Sequence, residues 1–131
     1  MSGAFFLCPK CQAASLAIGD CIDLEPDSRS DDITLQLVGC GQCGLDAIAV
    51  YEESRRGSLD SEASSHTGYF VDRTTLTSVK KAIKTCPAPR DSGCQCEGHI
   101  ILGARDTRGA WDGLRRLGID SAQCFAMTLA G

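Results

Sequence analysis

The chain sets short stretches of two-residue apolar rhythm against longer polar stretches, and one clear helical period lies in its second half. Ile33, Leu35 and Leu37 alternate with Thr34, Gln36 and Val38, as in a strand whose successive side chains point to opposite faces. Residues 45–51 repeat the rhythm, with Ile48 and Val50 on one face and Ala47, Ala49 and Tyr51 on the other. Residues 4–7 and 15–18 read as two shorter strands. Residues 19–32 are acidic and turn-rich (Asp20, Asp23, Glu25, Pro26, Asp27, Asp31, Asp32) and read as a surface loop. Residues 54–68 are polar, with Ser and Gly prominent, and read as a linker or loop that a short strand at 69–71 follows.

The helical period falls over 73–85. Leu76, Val79 and Ile83 share a face with Ala82, Asp72 stands where an N-cap is expected, and Pro87 and Pro89 end the run. Lys80, Lys81 and Lys84 lie toward the carboxyl end, where positive charge suits the helix dipole. Residues 100–102 then suggest a strand, and 107–117 a helix with Ala110, Leu114 and Leu117 on one stripe and Trp111 beside it. Gly109 and Gly113 each weaken that helix by about 1 kcal/mol relative to Ala. Residues 124–129 alternate Phe125, Met127 and Leu129 against Cys124, Ala126 and Thr128, the pattern of a closing strand.

Composition narrows the class. The 131 residues are 43% hydrophobic but only 5% aromatic, so the core must be mainly aliphatic. Nine cysteines are far above ordinary usage, and an odd number leaves one thiol over in any disulfide scaffold. Ala4-Phe5-Phe6-Leu7 is too short and lacks the basic residues that open a secretory leader. No run approaches the roughly 18 apolar residues of a membrane span. These features point to a reducing, cytoplasmic setting in which cysteines serve metal.

Charge is uneven. Residues 1–60 carry four basic and ten acidic side chains, net −6, whereas residues 61–131 carry nine basic and seven acidic, net +2. Binding to a phosphate backbone depends on Lys and Arg, so the amino-terminal half is poorly suited to nucleic acid.

The strongest chemical signal is Cys8-Pro-Lys-Cys11 with Cys40-Gly-Gln-Cys43, followed at once by Gly44. Two residues between thiols let one tight turn aim both sulfurs at one ion, and two such turns supply the tetrahedral thiolate shell that zinc favours. The 28 residues between the pairs loop out cheaply, because closure entropy grows only logarithmically. A redox Cys-x-x-Cys normally opens a helix after a strand, and here the residues after Cys43 read as extended. Iron with the same four ligands is the alternative metal.

On these two cysteine turns at hairpin tips, residues 4–53 resemble a zinc ribbon. That resemblance implies a small antiparallel β domain closed around a structural zinc ion. It implies no activity, because zinc ribbons serve in transcription, translation, enzymes and protein docking.

A second cluster is Cys86-x7-Cys94-x-Cys96-x2-His99, four soft ligands within 14 residues. A loop broken by Pro87, Pro89 and Gly93 can wrap a second zinc with three thiolates and one imidazole, with Cys86 ending a helix and His99 opening a strand. Cys94, Cys96 and His99 could instead serve metal handling or redox chemistry, or a soft copper site. An open fourth position would make the site catalytic, although only Glu97 and Asp91 are close enough to act as bases. Cys21 and Cys124 read as small buried hydrophobes, and His66 as a surface-loop residue.

Two groups are candidates for binding. Tyr51-Glu52-Glu53-Ser54-Arg55-Arg56-Gly57 places Tyr51, Glu53, Arg55 and Arg56 directly after the ribbon, and loops often carry function. Arg105, Arg108, Arg115 and Arg116 form the only basic cluster large enough for nucleic acid.

The expectation is an α+β chain. It has a zinc-ribbon-like antiparallel part (1–53), a polar loop or linker (54–70), and a helix-strand-helix-strand part with the Cys3His cluster (71–131). The expected role is a non-catalytic protein with two zinc ions that docks in a larger protein assembly. Nucleic-acid binding through the carboxyl-terminal arginines is the less favoured alternative, and no membrane association is expected.

Overall fold

A computed structural model of the chain describes residues 5–28, 30–54 and 63–129. Among these residues the fold is α+β: one five-stranded antiparallel sheet with three short helices. The strands are β1 (Leu16–Leu24), β2 (Asp32–Cys40), β3 (Asp46–Ser54), β4 (Ala63–Tyr69) and β5 (Cys124–Ala126), in that order across the sheet. The helices are α1 (Arg73–Thr85), α2 (Glu97–Leu102) and α3 (Gly113–Arg116).

The two expected central strands are present. β2 and β3 pair without a slip, from Asp32 opposite Glu53 to Gly39 opposite Asp46. Their alternation sorts two apolar clusters onto opposite faces. Ile33, Leu35, Leu37, Ile48 and Val50 pack with Val79 and Ile83 of α1, Leu102 of α2, Trp111 and Ile119. Val38, Cys40, Ala47 and Ala49 lie on the other face with Phe6, Cys8 and Leu16. Burying Leu16, Ile22, Ile33, Leu35 and Ile48 fully stabilises the fold by roughly 1.5–3 kcal/mol each relative to exposure.

β1 is longer than expected and runs into the acidic segment. Its register shifts between Ile18 (opposite Val38) and Cys21 (opposite Gln36), so Gly19 and Asp20 hold one extra residue, a β-bulge. The bulge moves the even-numbered apolar residues from one face to the other. Leu16 packs with Cys40 and Val38, whereas Ile22 and Leu24 join the helix-covered core.

The sheet returns on itself at one end. Phe6 bridges both Leu16 at the start of β1 and Leu129 beyond β5, and the Leu7 amide donates to the Thr128 carbonyl at 2.9 Å. The pairing path therefore runs from β1 through β5 and back by way of Phe6, which covers part of two edges that would otherwise invite strand addition.

Other expectations are corrected. Residues 63–68, expected in a polar loop, form β4 together with Tyr69, paired to β3 from Ile48 opposite Tyr69 to Ser54 opposite Ala63, and the strand expected at 69–71 ends at Tyr69. Pairing and packing override polarity here: the Gly68 position lies directly under the ring of Phe125, a cross-strand partner. Of the strand expected at 4–7, residue 4 lies outside the described residues, and residues 5–7 contribute two isolated bridges at Phe6 rather than a strand. Residues 100–102, expected as a strand that His99 opens, belong with His99 to helix α2, because the Cys96 sulfur accepts the His99 amide and caps the turn. The expected helix over 107–117 shrinks to α3. Asp106 accepts the amides of Arg108 and Ala110 in a tight turn, and Gly109 sits at φ +81°, which a helix cannot include. Helix α1 is as expected, with the Asp72 carboxylate accepting the Thr75 amide at 2.7 Å. Among the described residues, no helix is long and apolar enough to cross a membrane.

Candidate metal centres

The two cysteine turns that hold the first cluster are near copies of each other. In one, the Cys8 amide donates to the Ala13 carbonyl and the Gln12 amide to the Cys8 carbonyl, both at 2.9 Å. In the other, the Cys40 amide donates to Leu45 at 2.8 Å and the Gly44 amide to Cys40 at 3.0 Å. Each turn closes with a left-handed residue, Gln12 at φ +66° and Gly44 at φ +80°. The turns are fixed to the sheet because Phe6 and Leu16 flank one of them, while Cys40 ends β2 and β3 starts at Asp46.

This geometry brings Cys8, Cys11, Cys40 and Cys43 together, their sulfurs all within 4.8 Å of one another. Contacts between the turns include Cys8 to Cys43 at 3.6 Å and Cys11 to Cys40 at 3.7 Å. All nine cysteines are free thiols. A tetrahedron with metal–sulfur bonds of about 2.3 Å has edges of about 3.8 Å, so the sulfurs stand where one ion would hold them. The cluster could hold a metal and is compatible with a zinc-ribbon-like site.

The surroundings favour negative sulfur. The Ser15 hydroxyl lies 3.0 Å from the Cys40 sulfur, and the amides of Gln42 and Cys43 donate to it at 3.3 Å. The serine first, and then these amides, lower the Cys40 thiol from 9.0 to about 6. Cys43 is pushed up to about 11: the Leu45 amide acts to lower it, but burial and the sulfurs of Cys40, Cys8 and Cys11 outweigh that pull. Four anions this close repel one another unless a cation sits among them.

The second cluster gathers Cys86, Cys94, Cys96 and His99, again within 4.8 Å. Cys86 is the C-cap of α1 and Cys96 the N-cap of α2. Cys86 lies 3.8 Å from Cys94, and the His99 Nδ1 lies 3.2 Å from Cys86 and 3.3 Å from Cys96. The other ring nitrogen settles the tautomer. His99 Nε2 donates to the Asp23 backbone carbonyl at 2.9 Å, and since a carbonyl only accepts, the Nδ1 lone pair faces the sulfurs. A metal-bound histidine is commonly oriented this way by a carbonyl on its far side. The His99 amide, followed by its ring, brings Cys96 down to about 6, whereas burial, with the Cys96 and Cys94 sulfurs, pushes Cys86 up to about 11. This cluster too could hold a metal ion.

Gly98 lets α2 approach α1. A Cβ there would stand 2.7 Å from the Ala82 carbonyl oxygen, so only glycine allows the closeness that brings Cys86 and His99 together. The loop between them docks on β1 at Asp23: the Asp23 amide donates to Pro89 at 2.7 Å, and Arg90 Nε to the Asp23 carboxylate at 2.8 Å.

The remaining candidates are placed as follows. Tyr51 is half-buried, donates to Glu53 at 2.9 Å and meets the His66 ring edge-on at 5.6 Å. Arg55 and Arg56 lie outside the described residues. Arg105 donates to the Pro26 carbonyl at 2.5 Å and pairs with Glu25 at 3.5 Å. Arg116 pairs with Asp112 at 3.4 Å and donates to the Arg105 carbonyl at 3.2 Å. Arg108 and Arg115 are exposed.

Other expectations change with the structure. His66 is part of β4 and not of a loop, its Nε2 donating to the buried Gln36 at 2.6 Å. Cys124 is exposed and Cys21 only half-buried, so neither is the buried hydrophobe expected. Ser15 and the Asp23 carbonyl are contributors that sequence reading missed, since each acts on a ligand distant in sequence. Comparison with protein-family models, with curated proteins and with solved structures finds no match to this chain.

Proposed function

We propose that this chain is a small non-catalytic zinc protein, holding one ion at each cluster, that serves as a docking or assembly subunit for a larger protein complex. The carrying observation is the sulfur geometry. In the first cluster all four sulfurs lie within 4.8 Å of one another, with contacts of 3.6 and 3.7 Å from one turn to the other. One shared ion gathers four sulfurs in this way; a redox pair brings together only the two of one Cys-x-x-Cys. Thiolates with one imidazole select zinc or another soft metal over magnesium or calcium. Four protein ligands close each site to substrate, so the working surface lies elsewhere. Phe5, Leu7 and Leu129 leave 41–62% of their area exposed beside the first turn, which favours a protein partner. Arg105 and Arg116 already hold partners within the chain, which counts against nucleic acid.

Elemental analysis with X-ray absorption on freshly purified protein tests the metal assignment. The expected result is two zinc ions per chain, one with four sulfurs at about 2.3 Å and one with three sulfurs and a nitrogen at about 2.0–2.1 Å. Iron, a folded metal-free chain or a water ligand would refute it. Native mass spectrometry tests the docking role: it expects a stoichiometric protein partner retained at high salt and lost in Leu7→Asp/Leu129→Asp. Nucleic acid released steeply by salt would replace that role.

A further inference from the structure

The two clusters are anchored differently. Buried Phe6, Leu16, Val38 and Ala47 surround the first, whereas the second is wrapped by a loop that is fastened to β1 at Asp23, through the Pro89 carbonyl and the exposed Arg90 side chain. From Pro87 to Glu97 no side chain is buried. Within this stretch the backbone bonds are two local turns, Asp91 to Ala88 and Cys94 to Asp91, both 3.0 Å. The loop nonetheless covers the outer edge of β1. The Asp23 N–H and C=O, both turned away from β2, are taken by Pro89 and by the His99 ring. A cavity of about 180 Å³ opens beside Cys94 and His99, a route by which a competing ligand reaches this site.

We infer that the second ion is a removable clasp. Its loss releases residues 87–97 and uncovers the edge of β1 at Asp23, while the sheet, Trp111 and the first ion stay in place. This rests on the two-zinc reading above. Ligand exchange suffices: a soft chelator takes the ion, the Cys86, Cys94 and Cys96 thiolates take up protons, and His99 loses the lock on its Nδ1. The loop then has no buried residue to bring it back, and local opening of this kind costs less than global unfolding.

The test is a graded chelator titration of the zinc-loaded chain, read by bound zinc, residue-level amide exchange and Trp111 fluorescence. At one ion removed, the amides of Asp23, Asp91, Cys94 and His99 should exchange at least tenfold faster. Those of Cys8, Cys40, Leu35 and Val50 should hold, with Trp111 emission unchanged. Cys94→Ser at saturating zinc should reproduce the pattern with one ion bound. Both ions leaving together with the Trp111 shift, or one ion leaving with Asp23 still protected, would overturn the inference. A starting count below two zinc ions would instead refute the reading of the sites.

Discussion

At the scale of single residues, the paired cysteine turns differ in one informative position. Gly44 occupies its left-handed conformation without strain, whereas Gln12 adopts the same conformation with a Cβ. A Cβ in that region costs roughly 1–2 kcal/mol, while glycine adds roughly 0.5–1 kcal/mol of unfolded-chain entropy. Gln12→Gly should therefore raise stability by about 0.5 kcal/mol in denaturant melts of the zinc-loaded protein, and Gly44→Gln should lower it by a similar amount. A loss on Gln12→Gly would mean the glutamine side chain contributes contacts that offset its strain. His66 offers a second check. Burial among Phe6, Tyr51 and Gln36 holds its pKa below the ordinary 6.5, because desolvation disfavours the charged ring. The unfolded chain then binds the proton first as pH falls, so the contribution of His66 is complete above about 6.5 and declines below it. An NMR titration placing His66 above 6.5 would contradict its position in β4.

At the scale of elements, what was legible follows from where each signal lay. β2, β3 and α1 announce themselves because each buries one regular face, and the Cys-x-x-Cys spacing placed the first cluster without help from the fold. β1 reads shorter than it is because its bulge falls on Gly19 and Asp20, turn-forming residues that break the rhythm of Leu16, Ile18, Ile22 and Leu24, and nothing in the pattern marks the extra residue that turns Ile22 and Leu24 to the other face. β4 hid behind Ser64, Ser65 and His66. α2 hid because its cap is a cysteine sulfur in place of the usual hydroxyl or carboxylate. The ligands of the second cluster were legible by spacing, yet its geometry depends on how α2 lies on α1, which no local pattern states. Gly98→Ala tests that dependence. Its methyl would meet the Ala82 carbonyl oxygen at 2.7 Å, and overpacking of this kind costs about 1–3 kcal/mol. The helices should part, and competition with a chromophoric chelator should show weaker zinc binding at the second site with the first unchanged. Unaltered binding would mean that the loop alone sets the ligand geometry.

At the scale of the molecule, strands and helices from both halves of the chain share one apolar cluster, and a buried polar contact fastens them beside it. The Asp27 carboxylate accepts the Ser30 amide at 2.7 Å and the Trp111 amide, 84 residues away in sequence, at 2.6 Å. The Trp111 indole in turn donates to the Leu102 carbonyl at 2.7 Å, so one carboxylate holds the β1–β2 connection, α2 and the segment before α3 in register. Asp27 is only 5% exposed, and water cannot readily replace it. Asp27→Ala leaves two amides without this acceptor, and each buried donor so abandoned costs about 1–3 kcal/mol. A global loss of about 2–6 kcal/mol is expected, seen as an earlier denaturant midpoint in Trp111 fluorescence with the metal content of the native baseline unchanged. Asp27→Asn retains one carbonyl acceptor and should lose less than Asp27→Ala. Were the alanine variant as stable as the parent, the halves would be joined by apolar contact alone, and Asp27 would be a passive resident of the loop.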